Sequence, residues 1–77
     1  GLLDVRSVAE FQQGAIKGSV NIPINELRAR LTQLDPACPY VIYCSNGVQS
    51  EVAAFLLRQR GFEVAVLRAG LESLRRG

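Results

Sequence analysis

Four short apolar runs recur along this chain of 77 residues, and polar or helix-forming stretches separate them. Short apolar runs that alternate with helical segments are typical of βαβ units, in which right-handed crossovers join parallel strands. The run before Cys44 is apolar throughout, which indicates a strand covered on both faces. The pattern predicts an α/β fold, with a small parallel β-sheet of four to five strands flanked by helices. The predicted strands are Leu2–Val5, Val20–Ile22, Tyr40–Tyr43 and Phe62–Leu67.

Chain length and composition favour one structural unit. A chain of 77 residues can hold one hydrophobic core but not two. Its 48% hydrophobic and 21% charged residues are the balance of a globular protein rather than of a disordered one. We therefore expect a single domain over residues 1–77. Because the first predicted strand starts at Leu2, we also expect that the ends have been trimmed from a longer chain.

Local signals place the first two helices. Ser7 and Glu10 have the spacing of a capping box, which predicts a short helix through Gln13 that stops at Gly14. The stretch 25–34 predicts a second helix, because its leucines fall four and seven positions apart and so share one face. That stripe, assigned to the core, is Leu27, Leu31 and Leu34.

Two further helices are predicted in the second half of the chain. The stretch from Ser50 to Arg60 has a wide apolar face, and Gly61 follows it at a position that suits a helix end. We assign its face from Val52 to Leu57 to the core. A last short helix is expected over Ala69–Leu74.

Charge and hydropathy exclude some partners. The net charge of +2 and the pI near 8.9 are mild, and the basic residues form no stripe, so nucleic acid is not an expected partner. No apolar run approaches the ~20 residues that cross a bilayer, and the first residues lack the charged region of a signal peptide. We expect a soluble, cytoplasmic protein with no membrane partner.

The chain has two cysteines and no histidine, which limits metal and disulfide chemistry. Zinc sites need more thiol or imidazole ligands than this, and we expect neither a metal nor a cofactor. Cys38 and Cys44 are separated by a predicted strand, whose extended chain holds them too far apart for a disulfide. Cys38 is interpreted as an incidental loop thiol, with a redox role as the alternative.

Cys44, which follows the third predicted strand, is the candidate functional residue. Ligands of parallel sheets bind beyond the carboxyl ends of the strands, where this residue is expected. Amides of the following loop, in which Gly47 can adopt a positive φ, and a helix that begins near Ser50 would stabilise a thiolate or a persulfide without a neighbouring base. The alternative for Cys44 is a buried structural thiol.

Several short motifs along the chain resemble, in their order and spacing, the landmarks of a single-domain rhodanese. They are Asp4-Val5-Arg6, Gly14-Ala15-Ile16-Lys17-Gly18, Ile22-Pro23, Cys44 to Ser50, Gly61-Phe62 and Ala69-Gly70-Leu71. The resemblance covers essentially the whole chain and implies a rhodanese-like sulfurtransferase of the thiosulfate:cyanide class. It implies that Cys44 takes a sulfane sulfur from thiosulfate or a persulfide donor. The resulting persulfide would pass the sulfur to cyanide or a thiol acceptor, with a protein sulfur carrier as a further candidate partner.

The resemblance also implies a binding loop for the persulfide. Backbone amides of the five residues after the cysteine would surround the added sulfur, and the sixth residue would begin the helix behind it. The implied loop consists of Ser45, Asn46, Gly47, Val48, Gln49 and Ser50.

Three positions depart from the family pattern. Ala15 stands where histidine is frequent, and Ala69 where a glycine is frequent; both are interpreted as packing or turn variation. Gln49 stands where arginine is frequent, which removes a cation from the loop. A charged hydrogen bond is roughly twice as strong as a neutral one, so we expect weak activity with thiosulfate and prefer a persulfide donor.

The sequence leaves a second function open. The neutral loop and the trimmed ends also fit a catalytically weak rhodanese-like module that binds a partner or senses redox state within a larger protein. A phosphatase, whose loop is similar, needs an arginine at the position of Ser50 and is disfavoured.

Two arginines are weighed as further site residues. Arg6 has Asp4 and Glu10 close by in sequence, so it is expected to form an internal ion pair rather than to serve the site. Arg68 is interpreted as a solvated side chain, with replacement of the missing loop charge as its alternative.

Overall fold

The computed structural model describes residues 1–45 and 47–67, which contain a four-stranded parallel sheet. The predicted α/β fold is confirmed. The strand order is β2-β1-β3-β4, with β1 and β3 adjacent at the centre. The strands are β1 (Leu2–Asp4), β2 (Ser19–Asn21), β3 (Tyr40–Tyr43) and β4 (Val64–Val66).

β3 begins and ends as predicted, β1 begins as predicted, and the other strand ends differ from the prediction by one or two residues. The ladders continue slightly past the assigned ends: Val5 N–H donates to the Tyr43 carbonyl, and Leu67 N–H donates to the Ile42 carbonyl. Apolar character thus marks the paired region well, whereas the last residue of each strand depends on the neighbouring strand.

Two α-helices follow the two central strands. α1 (Val8–Gln13) begins after Ser7, and the predicted capping box with Glu10 is confirmed. α2 (Val48–Gln59) begins two residues before the predicted start at Ser50, with Gly47 as its N-cap. The predicted last helix over Ala69–Leu74 lies outside the described residues.

The helix predicted over 25–34 is wrong. Two short 3₁₀ turns, Ile24–Glu26 and Leu31–Gln33, occupy this stretch. Leu27 and Leu34 are nevertheless buried, and Leu31 packs against the core. A short isolated helix has little stability of its own, so burial of the leucines, rather than regular hydrogen bonding, decides the local backbone.

The face that α2 turns to the sheet also differs from the prediction. Its buried positions are Ser50, Ala53, Ala54 and Leu57, spaced as one helical stripe. Val52 and Phe55, which were assigned to the core, are 57% and 65% exposed. Apolar residues lie on so much of this helix that their pattern alone does not predict which face is buried. The small side chains of Ala53 and Ala54 allow the buried face to approach the sheet closely.

The strand order creates a crevice between the two central strands. The connection from β1 runs toward β2 and the connection from β3 runs toward β4, so the two leave the centre in opposite directions. Right-handed crossovers then place α1 and α2 on opposite faces of the sheet. Ligands of such sheets bind at this switch point, beyond the carboxyl ends of β1 and β3. Within residues 1–45 and 47–67, no helix is long and apolar enough to cross a bilayer.

The orientation of α2 can be tested by stability. Leu57 is fully buried, so Leu57→Ala is expected to lower the free energy of unfolding by about 2–5 kcal/mol. Phe55→Ala, the matched control on the exposed face, should change it by less than about 0.5 kcal/mol. Urea unfolding measures both. Equal losses in the two variants would contradict the observed face.

Candidate functional site

The thiol of Cys44 lies directly after β3 and is 1% exposed. The Gly47 N–H donates to its Sγ at 3.0 Å, and the Ser50 N–H donates to the same atom at 3.4 Å. Gly47 has φ of +89°, a left-handed conformation that glycine adopts without strain and that turns its amide toward the sulfur. The Gly47 and Ser50 amides therefore converge on one sulfur atom.

Ser50 closes the inner side of this sulfur site. It is fully buried in the first turn of α2, and its hydroxyl donates to the Gly47 carbonyl at 3.0 Å. The Cys44 thiol in turn donates to the Ser50 Oγ over 3.4 Å. The side chain thus holds the loop in its closed shape and contacts the sulfur at the same time.

The loop is shorter than predicted, because α2 begins at Val48. Val48, Gln49 and Ser50 form the first turn of this helix rather than the end of a loop, and the side chains of Val48 and Gln49 are exposed. The connection from β3 to α2 is therefore Cys44 to Gly47. The predicted loop residue Asn46 and the alternative cation Arg68 lie outside the described residues.

The ion pair expected for Arg6 is confirmed with Asp4. Their side chains are 5% and 0% exposed, and Arg6 Nη2 lies 2.7 Å from Asp4 Oδ2, while Arg6 Nε contacts both carboxylate oxygens at 3.0 and 3.1 Å. The hydrogen bond to Asp4 raises the pKa of Arg6 above its ordinary value. Arg6 also donates to the Gly14 carbonyl at 2.6 Å, so the charge is committed to the structure of this turn.

A contact that sequence reasoning missed joins the two edges of the crevice. The Ser45 hydroxyl donates to Glu10 Oε2 at 2.9 Å, across 35 positions of sequence. The Ser7 N–H and hydroxyl donate to Glu10 Oε1 at 3.3 and 3.1 Å. The hydrogen bond from Ser45, followed by those from Ser7, lowers the pKa of Glu10 below its ordinary value. The capping box identifies Glu10 in the sequence, but no local signal connects it to Ser45.

A cleft of about 370 Å³ opens beside this contact. Glu10, Glu26 and Gln49 contribute to its wall, together with the turns after β1 and β2. Among the described residues that line it, none is lysine or arginine. Glu26 is paired with Arg30 at 3.2 Å. As predicted from the sequence, Gln49 brings no cation to the loop. The other described residues of the cleft wall bring none either.

Cys38 is remote from the candidate site. Cys38 precedes β3, whereas Cys44 follows this strand. The Cys38 thiol lies near the Gly1 amino group and the Pro39 carbonyl. The two cysteines form no disulfide with each other. An incidental role for Cys38 stays a prediction.

Known proteins resemble the chain over most of its length. A family model described as a rhodanese-like domain matches residues 1–76. A rhodanese-related protein of Thermoplasma volcanium has a similar structure, with a TM-score of 0.93 and 35% identity over 99% of this chain and 77% of that one.

Two curated bacterial proteins are also similar. The uncharacterized protein YqhL of Bacillus subtilis is 39% identical over 92% of this chain, and a sulfurtransferase of Allochromatium vinosum is 34% identical over 91%. The matched region is 57% of the first protein and 66% of the second. The chain thus spans less than two thirds of the length of these relatives.

The Glu10 contacts predict a dependence of stability on pH. The folded state lowers the pKa of Glu10. The stabilisation that the Glu10 carboxylate provides is therefore complete above pH 4.5, its ordinary pKa, and is lost as the pH falls through its folded-state pKa. Glu10→Gln should be less stable than the wild type at pH 7, by less than about 1 kcal/mol because the contacts are exposed. The two proteins should converge toward acid pH. Urea unfolding at pH 7 and at acid pH measures the difference in unfolding free energy between the two proteins.

Glu63→Gln serves as the control for this experiment, because Glu63 is exposed and lies at the other end of the sheet, before β4. Its stability gap to the wild type should stay small at both pH values. A gap between Glu10→Gln and the wild type that widens in acid would contradict the lowered pKa.

Proposed function

The chain belongs to the rhodanese-like domain family, and on that premise we propose that it is a sulfurtransferase that carries a sulfane sulfur as a persulfide on Cys44. The observation that carries the proposal is the convergence of the Gly47 and Ser50 amides on the Cys44 Sγ. The donor is thiosulfate or a persulfide, and the acceptor is cyanide or a thiol, including the thiol of a protein sulfur carrier. Ser45, Asn46, Gly47, Val48, Gln49 and Ser50 form the proposed binding segment.

The two amides favour a negatively charged sulfur. An anion beside an N–H donor forms a hydrogen bond roughly twice as strong as a neutral acceptor does. The N-terminus of α2 adds roughly half a positive charge at the same place. Both effects act without a titrating base, which suits a chain that has no histidine. The same donors can serve the thiolate before transfer and the persulfide after it.

The proposed reaction balances without an external oxidant or a cofactor. The Cys44 thiolate attacks the outer sulfur of thiosulfate, a new S–S bond forms, and sulfite leaves with the electron pair of the broken S–S bond. Cyanide then attacks the outer sulfur of the persulfide, so thiocyanate leaves and the thiolate is restored. A persulfide donor leaves as its thiolate, and a thiol acceptor receives the sulfur in the same way.

Intact-mass measurement tests the carrier. After incubation with thiosulfate or a small persulfide, the protein should gain one sulfur, about 32 Da, and Cys44→Ser should gain none. Cys38→Ser, the matched control, should still gain it. Addition of cyanide should remove the extra mass and release thiocyanate. An adduct that persists in Cys44→Ser, or no adduct with any donor, would overturn the proposal.

Gln49 offers a test of donor preference. Gln49 is exposed on the wall of the cleft, so an arginine there could reach an anionic donor. Gln49→Arg should raise kcat/KM for thiosulfate by about tenfold, since a charged hydrogen bond replaces a neutral one. Gln59→Arg adds the same charge at the far end of α2 and should have little effect. Equal gains in both variants would show that net charge, not position, governs the donor.

A second candidate function is suggested by the exposed side of α2. Val48, Val52 and Phe55 are spaced as one helical stripe that starts in the first turn of α2, and each is more than half exposed. Such a stripe suits a catalytically weak module that binds a partner within a larger protein, with redox sensing through Cys44 as its alternative role. No sulfur adduct with any donor, combined with reversible oxidation of Cys44 by hydrogen peroxide, would favour this function over sulfur transfer.

A further inference from the structure

Glu10 places a carboxylate at the edge of the proposed sulfur site. Its Oε2 accepts from the Ser45 hydroxyl at 2.9 Å, and its Oε1 accepts from the N–H and the hydroxyl of Ser7. Ser45 directly follows Cys44, so chain geometry holds the carboxylate within about 10 Å of the Cys44 Cα. This upper limit is comparable to the Debye length of about 8–10 Å at moderate salt, so salt does not fully screen the carboxylate from a donor bound at the loop.

Two described arginines on this side of the molecule are already paired. Arg6 is buried in its ion pair with Asp4, and Arg30 is paired with the second carboxylate of the cleft, Glu26. Gln49 carries no charge, and no lysine or arginine is found among the described residues of the cleft wall. Glu10, whose pKa is lowered further from its ordinary value, is ionised at neutral pH. The Glu10 carboxylate at the edge of the sulfur site is therefore not neutralised by any lysine or arginine among the described residues of the cleft wall.

We propose that Glu10 is a specificity-determining residue that selects sulfur donors by charge. The favoured donors are small persulfides whose substituent is neutral or cationic, and anionic substituents are repelled. This inference rests on the proposed sulfur transfer and adds the class of donor. The carboxylate is not a catalytic group, because it takes no proton and forms no bond during the transfer.

The transfer step leaves the substituent unchanged. The Cys44 thiolate attacks the outer sulfur of R–S–SH, the new S–S bond forms, and R–S⁻ leaves with the electron pair of the broken bond. The charge on R is the same before and during this step. Glu10 therefore acts equally on the bound donor and on the transition state, so its effect falls on KM rather than on kcat.

A series of three persulfides of similar size tests the proposal. The probes are the persulfides of 3-mercaptopropionate, 2-mercaptoethanol and cysteamine, whose substituents are anionic, neutral and cationic. For the wild type, kcat/KM should rise along this series. Glu10→Gln should reduce the ratio of the cationic to the anionic probe by about tenfold, mainly through KM, as two steps of charge at several ångströms in water imply. The effect should fade near 1 M salt, where the Debye length is about 3 Å.

Two further variants separate charge from structure. Glu63→Gln, at the other end of the sheet, should keep the wild-type ratio. Ser45→Ala removes the hydroxyl that holds the carboxylate, and it should reduce the ratio by less than Glu10→Gln does.

The outcomes distinguish the two proposals. Sulfur adducts from all three probes with an unchanged ratio in Glu10→Gln would overturn the role of Glu10 and leave sulfur transfer standing. An equal loss of kcat/KM for all three probes in that variant would indicate a structural role and would also overturn it. No adduct from any probe in the wild type would overturn sulfur transfer itself, and donor selection with it.

Discussion

The buried ion pair of Asp4 and Arg6 is the interaction on which the geometry of the crevice depends. Both side chains are almost fully removed from water, and removal of one partner from such a pair costs about 3–5 kcal/mol because the other charge is left buried. Arg6 also holds the Gly14 carbonyl at the end of α1, and its guanidinium carbon lies 5.8 Å from the centre of the Tyr43 ring. Asn21 completes the arrangement by donating to the carbonyls of Asp4 and Arg6. The pair, together with the Asn21 side chain, thus links the ends of three strands and a helix.

Much of this fold could be predicted from local sequence. The run Tyr40–Tyr43 contains only side chains that suit a buried strand, and the capping box at Ser7 depends on residues three positions apart. The stretch 25–34 could not be predicted, because its leucines reach the core through 3₁₀ turns whose shape is set by the surrounding packing. Similarly, the exposure of Phe55 follows from which side of α2 meets the sheet, and apolar residues lie on both sides.

In the candidate site, too, some features could be predicted from local sequence and others depend on tertiary packing. The position of Cys44 after a strand and before a glycine-containing loop could be predicted from local sequence. The start of α2 at Val48 could not be predicted, because its N-cap, Gly47, forms no side-chain cap hydrogen bond and glycine is common in loops as well as at N-caps. The contact between Glu10 and Ser45 joins residues that are far apart in sequence, and only the strand order brings them together. Local patterns identify the sulfur atom, whereas tertiary structure determines what surrounds it.

The lack of buried residues in α1 has a consequence for motion. A six-residue helix with no side chain fully in the core has little resistance to opening on its own. Its first turn is held by Glu10, and the same carboxylate holds Ser45 beside the thiol. If α1 frays, both attachments are released in one event. Fraying of the helix start therefore also frees the Ser45 side chain at the edge of the crevice, whereas the buried Ser50 contacts still hold Gly47 against the thiol.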